Sequence, residues 1–145
     1  MRRLRFFGHP LHPATVHFPI GLLVGATVVD VLAVLGLDLG PKAANLLLIL
    51  GLCAAAASVA TGFLDFLSLA EDPLVERTAT FHFLSISAAL GLYGASLWLR
   101  NVTESTVLVL TTSLGGAFVL LFAGWLGGQL VYRHGQGVES PRSRP

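Results

Sequence analysis

Charge is what this sequence has least of. Lys, Arg, Asp and Glu make up 12% of its 145 residues, about half the roughly 25% of an ordinary soluble domain. Hydrophobic residues make up 54%, above the usual range of about 45–50%. So few polar side chains could not cover the surface of a small soluble fold, and that class is excluded. Sulfur is also scarce. A single cysteine, Cys53, cannot form an internal disulfide. With only the initiator Met1 beside it, the soft thiolate and thioether ligands that copper(I) prefers are missing. There is no nucleophile triad, no phosphate-cradling loop and no paired catalytic carboxylate. The Gly124-Trp125-Leu126-Gly127-Gly128 cluster is not a nucleotide fingerprint, because no strand precedes it. The net charge of +1 comes from basic residues scattered through loops and tails, which gives nucleic acid no footprint. The start, Met1-Arg2-Arg3-Leu4-Arg5, is basic like a signal peptide. However, His9, Pro10, His12, Pro13 and His17 interrupt the apolar core a signal would need, so the segment is expected to be retained.

Four long apolar runs are present: Ala14–Leu37, Ala43–Phe66, Thr80–Leu99 and Ser105–Tyr132. Each reaches the roughly 20 residues needed to cross a ~30 Å hydrocarbon core at about 1.5 Å per residue. None alternates with period two, which argues against a β-barrel. Asp38-Leu39-Gly40-Pro41-Lys42 and Arg100-Asn101-Val102-Thr103-Glu104 are short connections that favour hairpins. In the longer middle connection, Asp72-Pro73 reads as an N-cap followed by a first-turn proline, so the third helix is expected to begin before its apolar run. The expected fold is all-α, an integral membrane antiparallel four-helix bundle in one domain over residues 1–138. Its helices are expected at about 14–37, 43–66, 75–99 and 105–132, with a disordered tail at 139–145. In that arrangement Arg2, Arg3, Arg5, Arg77, Arg133, Arg142 and Arg144 fall on the side of the two termini, and only Lys42 and Arg100 on the other. The bias places both termini in the cytoplasm (N-in/C-in) of a multi-pass protein of the inner, plasma membrane.

Small residues recur along the helices. Gly51, Ala54, Ser58, Thr61 and Asp65 form a stripe on the second, Gly21 and Gly25 lie on the first, and Gly124 and Gly128 on the fourth. Such faces let helices approach closely in lipid, where packing drives association, within one chain or in a homo-oligomer.

All five histidines fall at the expected cytoplasmic end. His9, His12 and His17 precede or open the first helix, His82 lies near the start of the third, and His134 closes the fourth. Asp65 ends the second helix at the same level. Ionisable groups at membrane depth are costly and tend to face a bundle interior, and imidazole binds both metals and haem iron. Two arrangements compete. His17 and His82 could clamp a haem b between diagonal helices, with Arg5, Arg77 or Arg133 meeting its propionates. Alternatively His9, His12, His17, His82, His134 and Asp65 could hold a divalent metal ion. Against both stands a bland alternative, in which the histidines sit at the interface bonded to backbone or lipid phosphate. On either site reading His17 and His82 are expected to point inward at each other, with Asp65 beside them. Asp30 reads as a snorkelling or hydrogen-bonded group and carries no site.

Gly8-His9-Pro10-Leu11-His12-Pro13 followed by Val16-His17-Phe18-Pro19-Ile20-Gly21 resembles the opening of a bacterial membrane-protein family, domain of unknown function 2231. The resemblance continues at Gly62-Phe63-Leu64-Asp65, at His82, and from Gly124 through Val131-Tyr132-Arg133-His134-Gly135. It implies a four-helix membrane protein. Relatives joined to Rieske iron–sulfur or c-type cytochrome modules imply a redox association. This chain has no Cys-x-x-Cys-His, so an electron partner would be a separate electron-transfer protein or a quinone. The expected function is therefore a redox-associated protein binding haem b or a metal ion. The alternatives are a structural or interaction bundle without cofactor, and an ion or proton carrier.

Overall fold

The computed structural model describes the backbone of residues 5–6, 9–37, 39–67 and 72–138, and side chains from Leu11 onward except Pro41. The expectation for the 139–145 tail lies outside these residues. Two short strands, β1 (Arg5–Phe6) and β2 (His9–Pro10), pair antiparallel. Five helices follow: α1 (Leu11–Thr15), α2 (His17–Val34), α3 (Pro41–Phe66), α4 (Pro73–Val102) and α5 (Thr106–Gly128). A π-helical turn, Gln129–Arg133, extends α5. Counted with α1 and with this turn, the described residues hold four spans long and apolar enough to cross a membrane: Leu11–Val34, Lys42–Phe66, Pro73–Val102 and Thr106–Arg133.

Local chemistry sets the boundaries. The first span stops at Val34, short of the expected Leu37, because Gly36 takes a positive φ of 88°. Its N–H bonds Ala33 O at 3.1 Å, and Leu37 N–H bonds Leu32 O at 2.9 Å. This is the paired Schellman closure that a left-handed glycine permits. Asp72 caps α4 by accepting from Leu74 N–H at 2.9 Å, with Pro73 in the first turn. At its far end α4 continues past the expected Leu99 to Val102, which draws Arg100 into the last turn. Ser105 caps α5 through Leu108 N–H.

Helices adjacent in sequence are neighbours in space. The α2 helix packs mainly on α3 and α4 mainly on α5, while lighter α2–α5 and α3–α4 contacts complete the square. The core is narrow: Leu23, Ala26, Leu48, Ala89, Tyr93 and Leu120. Large apolar side chains cover the outside, with Phe118 75% and Trp98 64% exposed. That surface suits lipid, since a helix satisfies most of its backbone polar groups internally. Close helix approach occurs where few of the expected glycines lie. A Cβ on Gly51 would fall 2.8 Å from Leu23, and one on Gly116 3.1 Å from the Tyr93 ring. By contrast, Gly21 and Gly124 face open space, and Gly25 and Gly128 meet only ordinary contacts at 3.8 and 3.9 Å.

Candidate functional site

At the end of the bundle that carries the N-terminal strands two imidazoles are each held by a main-chain carbonyl, and they are not the expected pair. His12 sits in α1, and its Nδ1 lies 2.9 Å from the carbonyl oxygen of Ser58 on α3. His82 sits in the third turn of α4, and its Nδ1 lies 2.8 Å from the carbonyl oxygen of Ala123 on α5. A carbonyl can only accept, so each Nδ1 must carry the hydrogen. In the neutral ring that leaves Nε2 as a free lone pair, the tautomer of a ligating histidine.

Both rings rest on glycine. A Cβ at Gly62 would stand 2.7 Å from the His12 ring carbon Cε1, and a Cβ at Gly127 3.2 Å from that of His82. No other residue type leaves room for the first imidazole without moving it. Ser58, Gly62 and Asp65 follow one another at steps of four and three along α3, so one face carries His12's acceptor, its cradle and a carboxylate. The Asp65 Oδ1 is buried with no hydrogen-bond partner among the described residues. Thr15 and Ser58 fix the local geometry further, since the Ser58 hydroxyl donates to Thr15 Oγ1 at 3.3 Å.

The remaining expected ligands lie elsewhere. His17 opens α2 and is exposed, so it does not point inward at His82. The cause is angular. His12 and His17 are five residues apart, which at ~100° per residue separates them by about 140° around a helix axis. Turning His12 onto α3 turns His17 away. Arg77 is exposed and lies over the Phe81 ring, 5.8 Å from its centroid, one turn along the same helix. His134 closes the π-helical turn, where its backbone N–H bonds Gln129 O at 3.1 Å. The side chain of His9 lies outside the described residues. Among the described residues, no three His, Cys, Asp or Glu side chains converge as a metal site, so the expected six-residue set is not assembled there.

The opposite end holds a second polar site that sequence reasoning passed over. Arg100 Nη2 is hydrogen-bonded to Asp30 Oδ2 in an ion pair whose side chains are 10% and 9% exposed. An open cavity of about 450 Å³ adjoins it, lined also by Asn45, Glu104 and Ser105. Between the two ends, Thr27 Oγ1 bonds Tyr93 OH at 3.1 Å and Ser113 Oγ at 3.0 Å.

Four helices long and apolar enough to cross a membrane and an exterior of large apolar side chains define a small membrane protein with four candidate spans. The chain belongs to the family described as a predicted membrane protein, DUF2231, whose family model matches residues 8–140. No curated protein and no solved structure matches it.

Proposed function

We propose that the protein is a redox-associated membrane protein that holds a haem b through His12 and His82. The observation that carries this reading is the pair of imidazoles from different hairpins, each with Nδ1–H given to a main-chain carbonyl and Nε2 left available. The backbone acceptors orient the rings and raise their basicity, as outer partners do for ligating histidines generally. The donor set favours haem over a bare ion. A porphyrin supplies four ligands and asks the protein for only two, whereas a structural or catalytic zinc site takes three or four protein ligands. The glycines under both rings give the imidazoles the room to seat against the main chain. A haem bound there would supply reversible one-electron transfer, with a separate protein or quinone as its partner.

The test is spectroscopic. Protein purified from haem-replete cells is expected to show a Soret band and a low-spin reduced-minus-oxidised spectrum. His12→Ala and His82→Ala are each expected to lower the haem-to-protein ratio about tenfold or more, a loss of at least ~1.4 kcal/mol in affinity, while His17→Ala and His134→Ala retain it. A colourless wild-type preparation would favour a second reading, which a specific observation also supports. Each imidazole bonds across its own hairpin, His12 from α1 to α3 and His82 from α4 to α5, and so could serve only as a polar staple in a structural bundle.

The topology belongs to the same proposal: an antiparallel bundle in the inner membrane with both termini cytoplasmic. It rests on the seven-to-two division of basic residues between the two sides. A Ser143→Cys, Cys53→Ser protein is expected to resist a membrane-impermeant maleimide in intact cells and to react after lysis. Labelling in intact cells would invert the orientation.

A further inference from the structure

The two halves of the bundle, α1 to α3 and α4 to α5, repeat each other. In the first half, His12 bonds the Ser58 carbonyl and rests on Gly62, one turn further along α3. In the second half, His82 bonds the Ala123 carbonyl and rests on Gly127, one turn further along α5. The match continues towards the opposite end. A Cβ on Gly51 would stand 2.8 Å from Leu23, and one on Gly116 would stand 3.1 Å from Tyr93. Leu23 follows His12 by as many residues as Tyr93 follows His82, and Gly51 precedes Ser58 by as many as Gly116 precedes Ala123. Each half therefore has one histidine, one accepting carbonyl and two glycines that admit a side chain, all at matching positions.

Burial keeps the same register. With His12 laid on His82, the order of buried, half-buried and exposed positions over 12–26 recurs without exception over 82–96. With Gly51 laid on Gly116, the order over 51–58 recurs without exception over 116–123. Any two helices share a buried stripe of period about 3.6, but such a stripe does not bring the same residues with it. Here Ile20-Gly21-Leu22 falls on Leu90-Gly91-Leu92, and Thr15 falls on Ser85. A twofold repeat has an axis, and residues on that axis meet their own counterparts. Asp30 and Arg100 are counterparts, 70 residues apart, and they form the ion pair. Helix packing agrees. Exchanging α2 with α4 and α3 with α5 turns the close α2–α3 pair into the close α4–α5 pair, and the light α2–α5 pair into the light α3–α4 pair.

We propose that the chain is a tandem repeat of one αα-hairpin, closed about an axis through the Asp30–Arg100 pair, and that its ligand is held at the histidine end by two equivalent half-sites, one imidazole from each. The ligand class, which rests on the haem reading above, is thereby narrowed. Two equal half-sites suit a group that offers the same bond on both of its faces, as haem iron does to two imidazoles. They do not suit a group with a single reactive side.

The test exchanges equivalent segments within the full chain. Residues 20–26 are swapped with 90–96, and in a control chain with 91–97, a slip that turns each side chain by about 100° around the helix. Unfolding is followed in mixed micelles titrated with a denaturing detergent. The in-register swap is expected to lower the midpoint only slightly, because it removes the Tyr93–Thr27 hydrogen bond. The slipped swap is expected to lower it far more. A shorter exchange, Asp30→Arg with Arg100→Asp, decides if the longer swap folds poorly. It is expected to unfold close to the wild type and well above either single substitution. In-register exchanges no more stable than the slipped or single ones would overturn the repeat. The half-sites are read separately, by haem content. His12→Ala and His82→Ala are expected to lower the haem-to-protein ratio by factors that agree to within about threefold, and free imidazole is expected to restore both. One variant keeping its haem while the other loses it would overturn the equivalence of the half-sites. A colourless wild type would overturn the ligand class together with the haem reading, and the exchanges would still decide the repeat.

Discussion

Replacing Arg100 by methionine is expected to destabilise the protein by about 3–5 kcal/mol, and adding Asp30→Leu in the same chain is expected to recover most of that loss. The ion pair joins the last turns of α2 and α4, with both side chains about nine-tenths buried. Removing the arginine leaves a short, largely buried carboxylate without its counter-charge. Removing both charges leaves apolar side chains of similar bulk, which buried sites tolerate well. The two single variants should differ. In Asp30→Leu the stranded group is Arg100, two residues from the end of α4, and its long chain can carry the guanidinium out to the interface. Asp30→Leu is therefore expected to cost less than Arg100→Met. Reversible unfolding in mixed micelles, titrated with a denaturing detergent, ranks all three. A double variant no better than Arg100→Met would mean that the pair is needed for more than mutual neutralisation.

That pair also shows where sequence reading stops. Four spans follow from run length and apolarity alone, because the bilayer fixes how long an apolar helix must be. The start of α4 was equally legible, since Asp72-Pro73 carries its own capping chemistry. The ion pair was hidden by a boundary. Ending the third helix at Leu99 puts Arg100 in a loop, where a cation needs no explanation. Three further residues of helix place it in the last turn, level with Asp30. Its signal was a carboxylate four residues from the end of one span and a cation at the end of another, and neither is conspicuous alone.

The histidines failed differently. Their common end was legible, but which ring turns inward depends on where the first helix starts. Reading that start at Ala14 leaves His12 in a leader and makes His17 the first imidazole inside. The helix starts at Leu11 and stays helical through Val16, so His12 lands on α3 and His17, about 140° away around the axis, faces out. The motif offered a cue in its glycines. Gly62 and Gly127 are the positions where an imidazole lies against backbone, whereas Gly21 and Gly124 face open space. Spacing cannot separate a glycine that admits a ring from one that merely faces outward, because both satisfy the same small-residue pattern.

Tyr93 tests what holds the two hairpins together across the centre. It is fully buried, and its hydroxyl meets Thr27 Oγ1 at 3.1 Å across the bundle diagonal. Thr27 also reaches Ser113 Oγ at 3.0 Å, so three helices share one polar knot. The ring edge lies against Gly116, where a Cβ would stand 3.1 Å from two of its carbons. Tyr93→Ala is expected to cost about 2–4 kcal/mol, somewhat below the ~3–5 of an aromatic truncation in a soluble core. The reduction follows from the reference state. Unfolded helices remain in lipid, so the solvent-transfer part of the loss shrinks, while the lost packing around the cavity remains. Tyr93→Phe keeps the ring and removes only the hydroxyl. Thr27 retains Ser113 as a partner, so the expected cost is about 0.6 kcal/mol, the usual worth of an interhelical hydrogen bond in a membrane. Thr27→Val combined with Tyr93→Phe measures the coupling directly, because the two hydroxyls then disappear together. A Tyr93→Phe loss as large as that of Tyr93→Ala would assign the junction to its hydrogen bonds. The expected gap between them assigns it to the ring seated on Gly116, and predicts that Gly116→Val, which crowds that ring without touching a polar atom, destabilises the protein more than Tyr93→Phe does.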